Sequence, residues 1–225
     1  MPPVLSVVIA CRNAEATLGV QLEALAREPR HSEWDVVLCD NGSTDGTVAL
    51  AESYRSRLPA LRILTADERP GPAHARNVGA AQTRARWLAF VDADDEIAPG
   101  WIDAMFTALQ AHAFVAGRFE PTRLNSAAVL RSRTLQQDQG LQSSGIGPGL
   151  PHAGAGNLGI HRRVFQAVGG FDVDLGCLED TDFCWRVQLS GVPLVFWPEA
   201  VVHVRLRSTI RRMWSQGRSY GAATA

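Results

Sequence analysis

Trp87-Leu88-Ala89-Phe90-Val91-Asp92-Ala93-Asp94-Asp95-Glu96 is the stretch around which the rest of this chain is organised. Five apolar residues, Trp87 to Val91, have the pattern of a strand buried on both faces of a parallel sheet. The polarity then inverts: Asp92, Asp94, Asp95 and Glu96 put four carboxylates into five positions. Like charges at that density repel, and folding does not require them there. The carboxyl end of a parallel strand is where open α/β sheets bind ligands. Two aspartates spaced D-x-D, here Asp92 and Asp94, suit a divalent cation held by hard oxygens. A solvated acidic turn explains the same letters, so a lone D-x-D does not decide the matter.

The flanking sequence supplies the fold. Val4 to Ala10 reads as a central strand, ended by Cys11-Arg12-Asn13, and Ala14 to Arg27 carries Leu18, Leu22 and Leu25 at helical spacing. Trp34 to Leu38 is a second strand, and Asp40 to Gly46 is a turn-rich loop opening a helix that runs to Tyr54. Leu61 to Thr65 is a short third strand, after which Gly71-Pro72 starts a helix reaching about Gln82. Strand and helix alternate up to Val91, the signature of a doubly wound, mainly parallel sheet. Right-handed crossovers place the strand-end loops on one edge, so Arg12, Asp40, Arg76 and the acidic cluster are expected to converge.

Downstream the pattern loosens. Ile102, Met105, Phe106 and Leu109 form a core stripe on a helix after Pro99, and Phe114 to Phe119 reads as a strand. Pro121 to Gln139 is polar and ambiguous, and Gly140 to Gly159 reads as a flexible glycine-rich loop. Arg162 to Val168 is a short helix. Asp180 to Ser190 is another, with Phe183 and Val187 inward. Val192 to Phe196 and Ala200 to Val204 read as two short strands, and the tail from Ser208 as an arginine-rich helix. The expectation is one domain over 1–225, with 1–98 the ligand-binding half and 99–225 the second half.

Composition narrows the function classes. A length of 225 residues, 46% apolar, supports a sizeable core. A net charge of -1 provides no field for nucleic acid, and all 22 basic residues are arginine. Cys11, Cys39, Cys177 and Cys184 show no zinc spacing and fit a reducing compartment. The opening MPPVLSVVIA lacks a basic leader, and its apolar run is too short for a signal peptide or a membrane span. A cytoplasmic protein is expected; the arginines of the tail are expected to close over an anionic ligand, with peripheral membrane contact as their alternative use.

Several motifs carry chemistry, each against a plainer reading. Cys39-Asp40-Asn41-Gly42-Ser43-Thr44-Asp45-Gly46 puts a carboxylate at a strand end, where it can read the N–H edge of a base. An Asx-turn with a helix cap explains Ser43 to Asp45 equally well. Gly71-Pro72-Ala73-His74-Ala75-Arg76 opens a helix whose N-terminus favours an anion, with the Arg76 fork one turn in. A solvated face, with Gly79 there for close helix–sheet packing, is the plainer account. Gly154 to Gly159 matches G-x-G-x-x-G formally, but no strand is expected before it and no βαβ unit after it, so dinucleotide binding is set aside. Its glycines instead suit close backbone approach to a ligand. Glu179 and Asp180 begin a helix whose dipole and Thr181 favour an ionised carboxylate, a usable general base; the plainer role is a cap. His203 ends a strand among arginines and is either a surface residue or a further metal ligand.

The order of these motifs, VVIACRN, CDNGSTDG, GPAHARNVG, WLAFVDADD, GGFD, LEDTDFCWR and VVH, resembles the family 2 glycosyltransferases of the GT-A fold. The resemblance runs from Val4 to about Gly191 and more weakly to Tyr220. It implies a nucleotide-diphosphate sugar lying across the strand ends, with Ala10, Arg12, Asn13, Asp40, Gly42, Arg76, Asp92, Ala93 and Asn157 on the donor. Within that set it assigns Asp40 to the base, Arg76 to base or phosphates, Asp92 to the ribose and Asn157 to the donor-sugar loop. It further implies Mn2+ or Mg2+ on Asp94 with His203, and Asp180, in the pair with Glu179, as the base that deprotonates the acceptor. The acceptor-side half is then 99–225. Two letters depart from the family's habit: Ala10-Cys11-Arg12-Asn13 stands where Pro-x-Tyr-Asn is usual, and Asn41 where a second aspartate is common.

The resulting expectation is an inverting, metal-dependent glycosyltransferase without a nucleic-acid partner, for which a homo-oligomer is admitted but not required. A sugar-phosphate nucleotidyltransferase shares the architecture but opens on a glycine-rich loop with a lysine, and this chain has no lysine. A P-loop enzyme fails for the same reason. A nucleotide-sugar binding module without turnover is the non-enzymatic rival, separated only by activity.

Overall fold

The computed structural model describes residues 3–29, 33–58, 60–132, 135–143 and 147–207. The helix expected from Ser208 onward, with Arg211, Arg212, Trp214 and Arg218, lies outside them. The first half of the chain alternates as its periodicity predicts: β1 (Leu5–Cys11), α1 (Leu18–Arg27), β2 (Trp34–Asp40), α2 (Thr47–Glu52), β3 (Arg62–Thr65), α3 (Pro72–Ala81) and β4 (Trp87–Asp92). There follow β5 (Glu96–Ile97), α4 (Trp101–Ala111), β6 (Phe114–Glu120), α5 (Ala127–Arg131), β7 (Asn157–His161), α6 (Arg162–Ala167), α7 (Glu179–Leu189) and β8 (Val195–His203).

These strands form a single sheet in the order β3-β2-β1-β4-β7-β6-β8-β5. β1 pairs in parallel with β2 and β4, β2 with β3, and β6 with β8. β7 runs antiparallel to both β4 and β6, and β5 antiparallel to β8. Strand alternation divides the core into two layers. Leu5, Val7 and Ile9 face Leu18 and Leu22 of α1 and Trp101 and Met105 of α4. Val8, Val37 and Phe90 face Ala73 and Ala80 of α3 and Phe183 of α7. A Cβ on Gly79 would lie 2.5 Å from Val8 Cγ1 and 2.8 Å from Cys39 Sγ, so α3 can lie this close to the sheet only with glycine there. That close seat carries Arg76, one turn earlier, into the interior.

Two expectations change. The stretch Gly140 to Gly159 is not loop throughout: Asn157–His161 is β7, an interior strand between β4 and β6. Leu158 and Ile160 are fully buried, but Gly159 between them hides the apolar alternation from a sequence reading. The two short strands expected after Val192 are one strand, β8, whose register against β6 shifts between Gly117 and Arg118. Pro198 and Glu199 sit exposed in that irregularity, the place where a sheet tolerates proline.

The acidic turn itself is held from α1. Gln21, fully buried, donates Nε2 to Asp92 O (3.3 Å) and accepts from Ile97 N (2.8 Å), so one amide spans the turn. Glu28 accepts from Gly100 N (2.8 Å) and Ile102 N (3.1 Å), taking up free donors at the start of α4.

Candidate functional site

At the end of β4 the four carboxylates have four different environments. Asp92 Oδ1 accepts from Arg76 Nη2 at 2.7 Å, and Glu96 takes a two-pronged bond from Arg123 at 2.7 and 2.9 Å. Asp95 is buried and accepts the Arg205 backbone N–H at 2.7 Å; burial first, then Asp92 and Asp94, push its pKa well above the usual carboxylate range. Asp94 reaches solvent, yet desolvation at its depth and then Asp92 push its pKa up as well. Gly156 lies against this group: a Cβ there would come within 2.8 Å of Asp92 Oδ2 and 3.4 Å of Asp95 Oδ2. The glycine motif does permit close backbone approach, and what it approaches is the protein's own carboxylates.

Arg76 links this turn to α7. Its side chain is 5% exposed, with Nη2 on Asp92 and Nη1 on Glu179 Oε1 at 3.0 Å, and its guanidinium stacks over Phe171 at 5.4 Å. Burial opposes its charge, but Asp92 and Glu179 outweigh burial and raise its pKa. Arg76 was expected on the base or phosphates of a donor; its fork is spent instead on two carboxylates beneath the strand ends. Glu179 is spent with it.

Asp180, next in sequence, has no such partner among the described residues. Leu178 (φ 62) sits in the left-handed region just before the helix and makes no side-chain cap, so one of the free N–H groups at this helix start falls to Asp180. Its Oδ1 accepts from Thr181 N at 2.8 Å and from Thr181 Oγ1 at 3.5 Å. Burial, followed by Glu179, raises its pKa to about 6, against the pull of Arg76. The helix dipole and Thr181 are expected to keep this carboxyl ionised; burial works against them, because desolvation penalises the charge more than one helix end rewards it, yet at about 6 it is still ionised at neutral pH.

The ends of β1 and β2 form the other wall. Ala10 pairs with both Cys39 and Asp92, which aligns the three strand ends. Asp40 accepts from Ser43 N at 3.1 and 3.3 Å, an Asx-turn that passes through Gly42 at φ +74. Asn13 (φ 49) accepts on its side-chain oxygen from Thr44 N at 2.8 Å and donates its own N–H to Ser43 Oγ at 2.9 Å, binding the two loops together. Arg12 beside it is exposed, and Ala93 is buried. Asn41, the departure from the family habit, is a brace: its side chain donates to Ala66 O and to Arg69 O (2.8 Å) and accepts from Gly71 N (2.8 Å).

Asn157 does not reach the cleft. It is fully buried, with Oδ1 accepting from Trp101 Nε1 (2.9 Å) and Nδ2 donating to Arg118 O (3.1 Å) and Ala200 O (2.8 Å). It pins the register shift between β6 and β8, and its place among the donor-binding residues is corrected on that ground. His203 pairs with Glu96 across β5 and β8 and bonds through Nδ1 to Glu120 Oε2 at 2.7 Å. Despite some burial, bonds from Thr122 and His203 bring Glu120 down to about 2. A histidine tied through one nitrogen to a carboxylate is the arrangement metal-ligating histidines use, with the other nitrogen facing the ion. Among the described residues no three His, Cys, Asp or Glu side chains gather into a metal cluster. Two donors alone, Asp94 on the exposed turn and His203 at the end of β8, would leave most of a cation's coordination to substrate oxygens and water.

Sequence reading missed Gln21, Glu120 and His152. Gln21 sits on a helix face that its polarity argued against, and Glu120 ends a strand with nothing nearby in sequence to pair it with His203. His152 bonds to Thr181 Oγ1 at 3.3 Å across 29 positions, a separation that leaves no local signal. Among the described residues no helix is long and apolar enough to cross a membrane.

Residues 6–169 match the family model described as Glycosyl transferase family 2. The chain is 27% identical over 202 residues to Glycosyltransferase AglE of Haloferax volcanii, covering 86% of this chain and 64% of that one. Among solved structures it is similar to S. aureus TarS 1-349 in complex with UDP-GlcNAc (TM-score 0.71, 20% identity, 91% of this chain and 59% of that one). It is also similar to mannosyltransferase PcManGT from Pyrobaculum calidifontis in complex with GDP-Man and Mn2+ (TM-score 0.75, 19% identity, 97% and 61%). The chain therefore spans less than two thirds of each of these proteins. The structural likeness bears out the fold: a mixed, mostly parallel eight-stranded sheet of GT-A type.

Proposed function

The chain belongs to glycosyl transferase family 2, and from that membership we propose that it transfers a sugar from a nucleotide-diphosphate sugar to an acceptor hydroxyl, with inversion at the anomeric carbon. The observation that carries this reading is the division of labour around Arg76. Its fork neutralises Asp92 and Glu179, and Asp180 is left, among the described residues, without a cationic partner of its own, titrating near 6. A carboxylate so poised is ionised at neutral pH and basic enough to accept a proton in a transition state. Asp180 would take the acceptor proton as the acceptor oxygen bonds to the anomeric carbon and the bond from that carbon to the diphosphate breaks. Glu179, the other candidate, would act by holding Arg76.

The donor would lie across the strand ends, between Ala10, Arg12, Asn13, Asp40 and Gly42 on one side and Asp92 and Ala93 on the other. Asp94 and His203 would hold a divalent cation, which when bound supplies positive charge to the leaving diphosphate. The TarS and PcManGT complexes, with UDP-GlcNAc and with GDP-Man and Mn2+, support a nucleotide-sugar donor and a cation in proteins of this fold. Thermal unfolding in the presence of UDP-GlcNAc, GDP-Man and their free nucleotides, with and without Mn2+, tests the donor. A ligand at about a hundred times its Kd adds roughly 2.7 kcal/mol. A metal-dependent rise with a nucleotide sugar is expected, and no rise with any nucleotide sugar or nucleotide would count against the reading.

A further inference from the structure

Along α7, Thr181, Cys184, Trp185 and Gln188 recur at helical spacing, and all four hold one strip of the chain. Cys184 Sγ donates to Ala153 O at 3.5 Å, Trp185 Nε1 to Leu150 O at 2.9 Å, and Gln188 Nε2 to Pro151 O at 2.7 Å. Those three contacts clamp residues 150–153 to the helix. The fourth is different in kind. Thr181 Oγ1 stands 3.3 Å from His152 Nδ1 and 3.5 Å from Asp180 Oδ1.

The His152 ring is placed independently of that contact. Its main chain exchanges both hydrogen bonds with Gln142, at 2.8 and 2.9 Å, and its ring stands edge-on to Trp185 at 6.2 Å. Burial lowers its pKa, so the ring is neutral near pH 7. A threonine hydroxyl has one proton to give. When that proton goes to the Asp180 carboxylate, Oγ1 can only accept, and His152 must present Nδ1–H. Both contacts are long, as catalytic hydrogen bonds often are before substrate binds. Among the described residues nothing donates to Asp180 Oδ2.

We propose that His152 positions the Asp180 carboxylate through Thr181, the chain Nδ1–H to Oγ1–H to Oδ1 turning Oδ2 toward the acceptor. The proposal rests on Asp180 as the base; His152 and Thr181 are positioning residues that touch no reacting atom. Other groups also act on Asp180: Glu179 and Cys177 before it and Cys184 within its own helix, Arg76 of α3, and Asp92 of β4. None of them is altered by the substitutions below.

The test reads Asp180 directly, without donor or acceptor. Carboxyl-13C-labelled aspartate reports its titration, with Asp180→Asn identifying the signal. Thr181→Val removes the hydroxyl at constant shape and should move the titration up by about half to one pH unit, because the carboxylate loses a donor; Thr181→Ser should not. His152→Phe keeps a ring against Trp185 but removes both nitrogens. It should move the titration up with Thr181 present and add nothing in the Thr181→Val background. His152→Asn, which returns an amide near the Nδ1 position, should restore the wild-type value. No effect of His152→Phe alone, or a fully additive one, overturns the proposal. If Thr181→Val does not fold, the His152→Phe and His152→Asn pair decides alone. Hydrolysis of UDP-GlcNAc or GDP-Man by water, followed against pH, separates this proposal from the reading beneath it. A titration that moves while the acidic limb of hydrolysis stays fixed keeps the chain of hydrogen bonds and removes Asp180 as the base.

Discussion

Two acidic clusters meet at one arginine, and they solve the problem of crowded charge differently. The turn after β4 gives each carboxylate a different partner: Asp92 has Arg76, the buried Glu96 has Arg123, the buried Asp95 has a backbone N–H, and Asp94 has solvent. The start of α7 holds two half-buried carboxylates, giving Glu179 to Arg76 and leaving Asp180, among the described residues, with its own threonine. The first solution presents negative charge at a surface, where a cation can meet it. The second keeps a half-buried carboxyl of raised pKa at a helix start, where a proton can meet it. The difference teaches that the functional character of each carboxylate is set by which one the arginine takes.

The largest effect should come from removing the carboxyl that Arg76 leaves alone. Asp180→Asn keeps shape and should lower transfer by about 10²–10⁴-fold, the usual contribution of a positioned base. Donor affinity, measured by calorimetry on the same protein, should change little. Near-wild-type transfer would move suspicion to Asp182.

Removing the shared arginine should collapse the contrast. Arg76→Met strands Asp92 and Glu179 without a cation, and breaking such a buried pair costs about 3–5 kcal/mol. With Asp92 already 36% exposed, the lower end is expected in chemical denaturation. The Asp180 titration should also rise, since Arg76 lowers it.

The pH dependence of stability sharpens the same point. Asp180 moves from 3.8 to about 6 on folding, so the folded state holds its proton more tightly. Its contribution is favourable below 3.8 and is lost as pH rises through about 6. Asp180→Asn should therefore match wild type near pH 3.5 and become more stable between pH 4 and 6, by at most about 3 kcal/mol above that. An unchanged difference across pH 4 to 8 would show that burial does not press on this carboxyl.

The smallest change in stability belongs to Asp94, the exposed member of the turn after β4. Asp94→Asn relieves repulsion at a group that already reaches solvent, so unliganded stability should hold or rise by less than about 1 kcal/mol. The Mn2+ dependence of nucleotide-sugar binding should nevertheless disappear. Retained dependence would return the turn to a solvated strand end.

Legibility in sequence follows contact distance along the chain. β1 to β4 and their helices were readable because each element announces itself by its own period, and each connection is short. β7 was not, because Gly159 breaks its alternation and its neighbours β4 and β6 are far away in sequence. The carboxylates at both clusters were visible as letters. Their partners were not, since Arg76 to Glu179 spans 103 positions and Asp95 to Arg205 spans 110.

By itself, then, the sequence determined the parallel half of the sheet, the carboxylate turn at its edge, and the family through motifs that keep their order. Burial, pairing and ionisation were decided only by the tertiary structure. It turned Arg76 from an expected ligand contact into a strut, sent Asn157 to the core, and moved Asp180 to about 6 by closing protein around it. The reason is physical: periodicity is a property of a segment, whereas the free energy of a charge depends on every group that packs around it.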